Sequence, residues 1–267
     1  ASDGNSQEVS ITITGTDDAS VVSGVFTGVV SEGDVDDPLP TTATGNLSIS
    51  DIDGDDNPSF SDVGSTAGDN SYGHFVLVDG AWTYTLDQSM VKDLDAGDEV
   101  SDTITYTATD GTEQLITVMI LGTNDAPVLT VNNIDVTVGD LLAGEVSFTD
   151  VDLGDTPLVT LGDTLDVSWL DGDAVILTLT DIQTSTLGDR DDLSISNNST
   201  VNNGSETWSD ILSSEALQFL GEGESLVLTF NVTVDDGNGG SDTKEVALTI
   251  TGVNDGPQIT GVTGPDS

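Results

Sequence analysis

Apolar residues recur at every second position in short runs along the chain, as in GHFVLV (73–78), TITYTA (103–108) and EVALTI (245–250). A period of two belongs to a strand with one buried face, and the three-to-four spacing of an amphipathic helix is nearly absent. The alternation predicts strands near 21–30, 45–50, 73–78, 81–86, 100–109 and 113–121, then near 134–138, 145–149, 165–169, 174–180, 193–196, 226–234 and 243–251. Clusters of Gly, Asp and Pro separate these runs, as turns require. ETWSDILSSEALQFLG (206–221) is the one helix candidate. Many short, regularly spaced strands imply an all-β sandwich, with Trp82 in AWTYTL and Trp169 in VSWL packing into its core.

One phrase punctuates the chain three times: ITITGTDDAS (11–20), VMILGTNDAPV (118–128) and LTITGVNDGPQ (248–258). Each is a strand followed by Gly and a polar or acidic pair, and the glycines at 15, 122 and 252 stand 107 and 130 residues apart, which are domain lengths. TITYTATDGTEQLITVMI and TFNVTVDDGNGGSDTKEVALTI precede the second and third phrases, each reading as strand, Asp-Gly turn, strand. The expected organisation is therefore four pieces. Residues 1–18 form the last strand of a preceding repeat and its linker, 19–125 one sandwich, 126–255 a second, and 256–267 the start of a following repeat.

Charge changes the picture from fold to chemistry. Forty-nine Asp and Glu stand against Lys92, Arg190 and Lys244, for a formal net charge of −46. Such a chain repels itself, and it lacks the Lys and Arg with which nucleic acid or an anionic membrane is bound. Divalent cations are the natural counterions. The patterned 35% of hydrophobic residues argues against disorder. No cysteine is present to form a disulfide or a zinc–thiolate site, and no apolar run is long enough to span a bilayer, so direct membrane insertion is not expected.

Calcium prefers six to eight oxygens from carboxylates, amide side chains and backbone carbonyls held at turns. The sequence gathers such groups at the predicted domain ends: Glu32, Asp51 and Asp53 in SISDIDGDD, Asp95 in LDAGDE, Asp110 in TATDG, and the linker pair Asn124–Asp125. The second repeat offers Asp150 and Asp152 in FTDVDLGD, Glu222 and Glu224 in LGEGE, Asp236 in VDDG, and the pair Asn254–Asp255. SISDIDGDD is not an EF-hand loop, because it lacks the Gly and Glu that such a loop needs and has no flanking helices. Nor does DDGNGGSD form a calcium nonapeptide array; it reads as a hairpin turn.

ATGNLSISDIDGDDNPSF, GHFVLVDGAWTYTLD, LDAGDEVSDTITYTATDG and GTNDAP follow one another in the order seen in bacterial cadherin-like VCBS repeats, the tandem modules of large RTX-type surface adhesins, which the first repeat resembles over nearly its whole length. The second resembles them at its edges, through the DVD pair, VTVDDGNGGSDT and GVNDGP, and departs between about 163 and 220. The resemblance implies two cadherin-like, Ig-like Greek-key sandwiches placed end to end as a rod. It also implies how the ligands group. Glu32, Asp95, Asn124, Asp125, Asp150, Asp152 and Asp236 would serve a central junction; Asp17, Asp18, Asp51, Asp53 and Asp110 an N-terminal one; Glu222, Glu224, Asn254 and Asp255 a C-terminal one. Gly97 stands where the family has a second basal acid, so that junction holds fewer ions or borrows Asp98.

The function that follows is a calcium-rigidified extender of an extracellular bacterial adhesin, supporting adhesion and biofilm formation. Its partners are the neighbouring repeats of the same chain, and a monomer is expected. The rival reading makes the divergent middle of the second repeat a surface for a sugar, peptide or protein, with Trp208 or Phe219 at a pocket wall. Catalysis finds no support: the single histidine, His74, sits in a strand without a motif, and 4% aromatic residues leave little for a glycosidase cleft.

Overall fold

The computed structural model describes residues 4, 6–33, 41–180, 187, 193–210, 212 and 215–256. They fall into two compact units. One takes the stretch up to Val91 together with Glu99–Leu121; the other takes Lys92–Asp98 together with the stretch from Gly122 onward. Both are all-β sandwiches of two sheets.

In the first unit, strands β1 (Val21–Gly24), β3 (Thr42–Ser50), β4 (Val63–Ala67), β5 (Gly73–Val78) and β6 (Ala81–Leu86) form a sheet in the order β1-β3-β6-β5-β4. The facing sheet is β2 (Thr27–Ser31), β8 (Glu113–Leu121) and β7 (Glu99–Thr107). The run expected at 21–30 is thus two strands in two sheets. The break falls after Gly24, whose φ of +139° suits glycine and whose added Cβ would lie 1.9 Å from the Asn46 carbonyl oxygen. Alternation places Phe75, Leu77, Trp82, Tyr84, Ile104, Ile116, Val118 and Ile120 between the sheets, all buried. Asp102 is buried among them with 0% exposure. Its carboxylate accepts from the Asn70, Gly73 and Thr103 amides and from the Tyr84 hydroxyl, so it anchors the 68–73 turn.

The second unit pairs β10 (Ile134–Thr137), β17 (Ser241–Thr251), β16 (Ser225–Asp235), β12 (Leu158–Leu170) and β13 (Ile176–Leu177) in one sheet. The other is β14 (Leu193–Ile195), β15 (Asn203–Asp210), β11 (Leu142–Thr149) and β9 (Val128–Val131). The expected helix at 206–221 is instead strand β15, which pairs with β11 from Asn203↔Thr149 to Asp210↔Leu142, followed by turns over 215–219. Trp208, Leu212, Ala216 and Leu220 fall four apart, which mimics helical spacing. The burial of Glu206 and Trp208 with Thr207 exposed between them has the strand period of two.

That strand repeats a packing device of the first unit. Trp82 lies directly across from Gly45 and Trp208 directly across from Gly144, and a Cβ on either glycine would stand 2.5 or 2.6 Å from the indole. ETWSD is therefore the counterpart of AWTYT. Trp208 packs edge-on against Phe230 and is 1% exposed, whereas Trp169 is half-buried against Phe219. No helix among the described residues is long and apolar enough to cross a membrane.

Candidate metal centre

The second unit concentrates carboxylates at one end because three chain segments turn there. After β8, Gly122 leaves no room for a side chain: its Cβ would lie 2.3 Å from the Asp95 carbonyl, and its amide donates to the Asp98 carbonyl at 2.9 Å. In the linker that leads to β9, the Asp125 amide donates to Asp152 Oδ2 at 2.8 Å. In the turn after β11 the Asp152 amide donates to Asp150 Oδ1 at 3.1 Å and the Asp155 amide to the Asp152 carbonyl at 3.3 Å. Such side-chain-to-backbone turns curl a short loop so that its remaining oxygens converge.

The β16–β17 hairpin supplies the third segment. Asp236 Oδ1 accepts from the amides of Asn238, Gly239 and Gly240 at 2.7, 2.9 and 3.0 Å, and Oδ2 accepts from Asn124 Nδ2 at 3.0 Å. At the hairpin tip Asn238 Nδ2 donates to Asp155 Oδ1 at 2.6 Å and to Asp95 Oδ2 at 3.3 Å. Two triads result, Asp95–Asp152–Asp155 and Asp150–Asp155–Asp236, each with ligand oxygens within 4.8 Å of one another.

Burial makes this arrangement costly without a counterion. Asp150, Asp152, Asp155 and Asp236 are 4, 0, 4 and 7% exposed. Asp150 Oδ2, Asp152 Oδ1, Asp155 Oδ2 and Asn124 Oδ1 are buried without a hydrogen-bond partner. Desolvation, reinforced by Asp125, Asp150 and Asp95, pushes the Asp152 carboxyl up to about 7. Desolvation with Asp95, Asp150 and Asp236 pushes Asp155 up to about 6, and desolvation also raises Asp150. Every bond described above to these carboxylates comes from a backbone amide or a side-chain amide. The chain has three basic residues in all, and Lys244 pairs elsewhere, with Asp242 at 3.3 Å.

The donor set fits a hard dication. Three oxygens within 4.8 Å of one another are near enough to close on one ion at 2.3–2.6 Å with small side-chain shifts, and four unpartnered oxygens are already desolvated. A bound cation would supply the charge that the site otherwise takes as protons.

The first unit has the same local geometry at its N-terminal end, but open to solvent. The Asp18 amide donates to Asp53 Oδ2 at 2.8 Å, the Asp53 amide to Asp51 Oδ1 at 2.9 Å, and the Asp56 amide to the Asp53 carbonyl at 3.0 Å. Asp17, Asp53 and Asp56 form a triad like those above. Ser20 Oγ lies 2.9 Å from Asp51 Oδ2 and 2.5 Å from Asp110 Oδ2, and that hydroxyl with the Thr112 amide holds Asp110 below the usual carboxylate range. Glu32, also in the first unit, is buried at the end of β2, where its amide donates to the Leu121 carbonyl.

The C-terminal residues are placed differently. Glu224 Oε2 accepts from Trp169 Nε1 at 3.1 Å and from the Gly221 amide at 3.0 Å, and Glu222, Asn254 and Asp255 are exposed. The Gly252 amide donates to the Glu224 carbonyl as Gly122 does to Asp98, so Glu224 stands in the register of Asp98 and Gly221 in that of Asp95. By the same comparison Val138, donating to Thr251, stands where Glu32 donates to Leu121. Of residues 256–267, where a following repeat was expected to begin, 257–267 lie outside the described residues.

Three residues of these clusters were not anticipated. Asp155 and Asp56 were marked in the sequence by a recurring D-x-D-x-x-D, at 51–56 and 150–155. Asn238 had no such mark. It arrives because β16 and β17 run 11 residues each against 9 for β7 and β8, which carries the hairpin tip farther out to Asp155.

No family model matches the sequence, and no curated protein matches it. Among solved structures the chain is similar to PcdhgB3 EC1-4, with 14% identity and a TM-score of 0.45 over 87% of this chain and 49% of that one. It is also similar to protocadherin gamma B2 extracellular cadherin domains 1-5, with 17% identity and a TM-score of 0.44 over 91% and 42% of the two chains. A third is human mucin-like protocadherin EC1-2, with 15% identity and a TM-score of 0.43 over 89% and 99%. The chain spans about half the length of the first of these. Likenesses this distant carry no weight on function, which rests on the geometry above.

Proposed function

We propose that the chain is a calcium-stabilised, non-enzymatic spacer of a bacterial surface adhesin, built from tandem cadherin-like repeats of the VCBS kind and working outside the cell in adhesion and biofilm formation. The observation that supports it most is the group of aspartates at 95, 150, 152, 155 and 236, the last four buried, with unpartnered oxygens on Asp150, Asp152 and Asp155 and amides for neighbours. Asp95 lies on a segment that the sequence sets between strands of the first unit, while Asp152 follows β11 of the second. A cation held by both carboxylates would restrain the chain at its central linker, and unneutralised carboxylates there would repel. Stiffness is then the function, with neighbouring repeats of the same chain as partners, a monomeric state, and residues 1–18 and 256–267 belonging to adjoining repeats.

The rival reading, a ligand surface on the second domain, loses one of its expected wall residues, because Trp208 is core. Small-angle scattering with calcium and with chelator tests the proposal. Calcium should narrow the distribution of radii of gyration and raise the melting temperature; superimposable scattering curves and melts would refute it.

A further inference from the structure

Two Asn-Gly steps occur in the chain, Asn203–Gly204 and Asn238–Gly239, and the fold treats them differently. An asparagine side chain can react with the peptide nitrogen that follows it, and a glycine there removes the Cβ that would hinder the approach. With the dipeptide the same in both places, the surroundings decide.

Asn203 sits in strand β15 opposite Thr149, with Gly204 opposite Phe148. Its Oδ1 accepts from the Asp150 amide at 3.1 Å, and a Cβ on Gly204 would lie 2.5 Å from Ser199 Oγ. Turning Asn203 Cγ onto the Gly204 nitrogen therefore requires the β11–β15 ladder to open, a local unfolding with its own free-energy cost. Asn238 lies outside the ladder, exposed at the tip of the β16–β17 hairpin. Gly239 has a φ of +118°, and beyond its chain neighbours no atom stands within 4 Å of where a Cβ would be. The Asn238 and Gly239 amides are tied to a single side-chain oxygen, Asp236 Oδ1, at 2.7 and 2.9 Å.

We propose that Asn238 is a site of spontaneous deamidation. The Gly239 nitrogen gives up its proton and bonds to Asn238 Cγ; the Cγ–Nδ2 bond breaks, and Nδ2 takes up a proton and leaves as ammonia. Water then adds to either carbonyl of the cyclic imide and breaks its bond to the ring nitrogen, leaving aspartate or isoaspartate at position 238.

Position gives this change a consequence. In the unmodified chain Asn238 Nδ2 donates to Asp155 Oδ1 at 2.6 Å and to Asp95 Oδ2 at 3.3 Å. Deamidation puts a carboxylate where that donor stands, so two hydrogen bonds become two repulsions beside the buried Asp155. The acidic end of the second unit thus weakens irreversibly with age, whether or not a cation binds there.

The test ages the full chain at mildly alkaline pH with chelator, both folded and in urea. Peptide-mapping mass spectrometry follows the two Asn-Gly steps, and labelling by isoaspartyl methyltransferase counts isoaspartate. In the folded chain Asn238 should convert at least about tenfold faster than Asn203, and in urea the two rates should come together within about threefold. Comparable rates in the folded chain overturn the assignment. A preference for Asn238 that persists unchanged in urea overturns its structural cause. Asn238→Asp makes one product directly and should melt several degrees below the wild type in chelator, with near-ultraviolet circular dichroism of the tryptophans checking the fold. An unchanged melt overturns the consequence drawn for the acidic end.

Discussion

Removing divalent cations should make the second unit less stable as pH rises from 5 to 8. Burial and neighbouring carboxylates raise Asp152 to about 7 and Asp155 to about 6 from an ordinary 3.8. Between the ordinary and the raised values the folded chain holds a proton that the unfolded chain has lost, so stability is present at low pH and declines as pH climbs through the folded value. From pH 5 to pH 8 the linkage integral is about 2.5 kcal/mol for Asp152 and about 1.5 kcal/mol for Asp155. The two share part of their repulsion, so the combined fall lies between about 2.5 and about 4 kcal/mol.

The assay is urea denaturation of chelator-treated protein at half-unit pH steps, followed by tryptophan fluorescence, at low salt and in 0.5 M NaCl. Salt screens the surface repulsion and leaves the buried term nearly unchanged. Calcium should reverse the slope, because it competes with protons for the same oxygens; its stabilisation grows with pH, reaching about 4 kcal/mol at a thousandfold excess over Kd. A metal-free stability that is flat or rises between pH 5 and 8 would falsify the claim that these carboxylates are desolvated together. Equal calcium stabilisation at both ends of the range would do the same.

Other consequences concern the scaffold. Gly45→Ala and Gly144→Ala each force a Cβ into an indole, so each should destabilise its own unit by about 1–3 kcal/mol, read as a shift of one of two unfolding transitions. Asp102→Ala strips the acceptor from three amides and the Tyr84 hydroxyl, and about 3 kcal/mol should be lost from the first unit with or without calcium. Glu224→Gln should weaken the second unit through the Trp169 and Gly221 contacts, read as a lower melting temperature with chelator present; an unchanged melt would show that these bonds contribute nothing.

The fold was legible in the sequence wherever one strand face is buried and the other wet. Val118 and Ile120, or Leu248 and Ile250, alternate with residues of other burial, and the period of two survives in the sequence. It failed at β15, where Glu206 is a buried polar residue and Leu212 and Ala216 lie beyond the strand, so apolarity no longer tracks the pleat. Strands such as β4 (VGSTA) carry almost no apolar signal, being mostly exposed at a sheet edge. In the candidate site, Asp150, Asp152 and Asp236 were legible as acids at turns beside a linker and do lie close together. Asn238 was not, since its place depends on hairpin length and not on its own type.

Hairpin length also accounts for the difference between the two acidic ends. Both units carry D-x-D-x-x-D after a strand, and in both the linker amide caps the middle acid with a 2.8 Å bond. In the first unit the shorter hairpin leaves Asp110 held by Ser20 and Thr112, and the triad at Asp17, Asp53 and Asp56 keeps solvent contact that screens its charges. In the second, the longer strands bring Asp236 and Asn238 over Asp150 and Asp155, and Lys92–Asp98 adds Asp95. Water is replaced by more carboxylates, and the same motif passes from a screened surface cluster to a buried one that needs protons or cations to persist. One local motif is thus exposed in one unit and buried in the other, where a longer hairpin and the segment that carries Asp95 lie beside it.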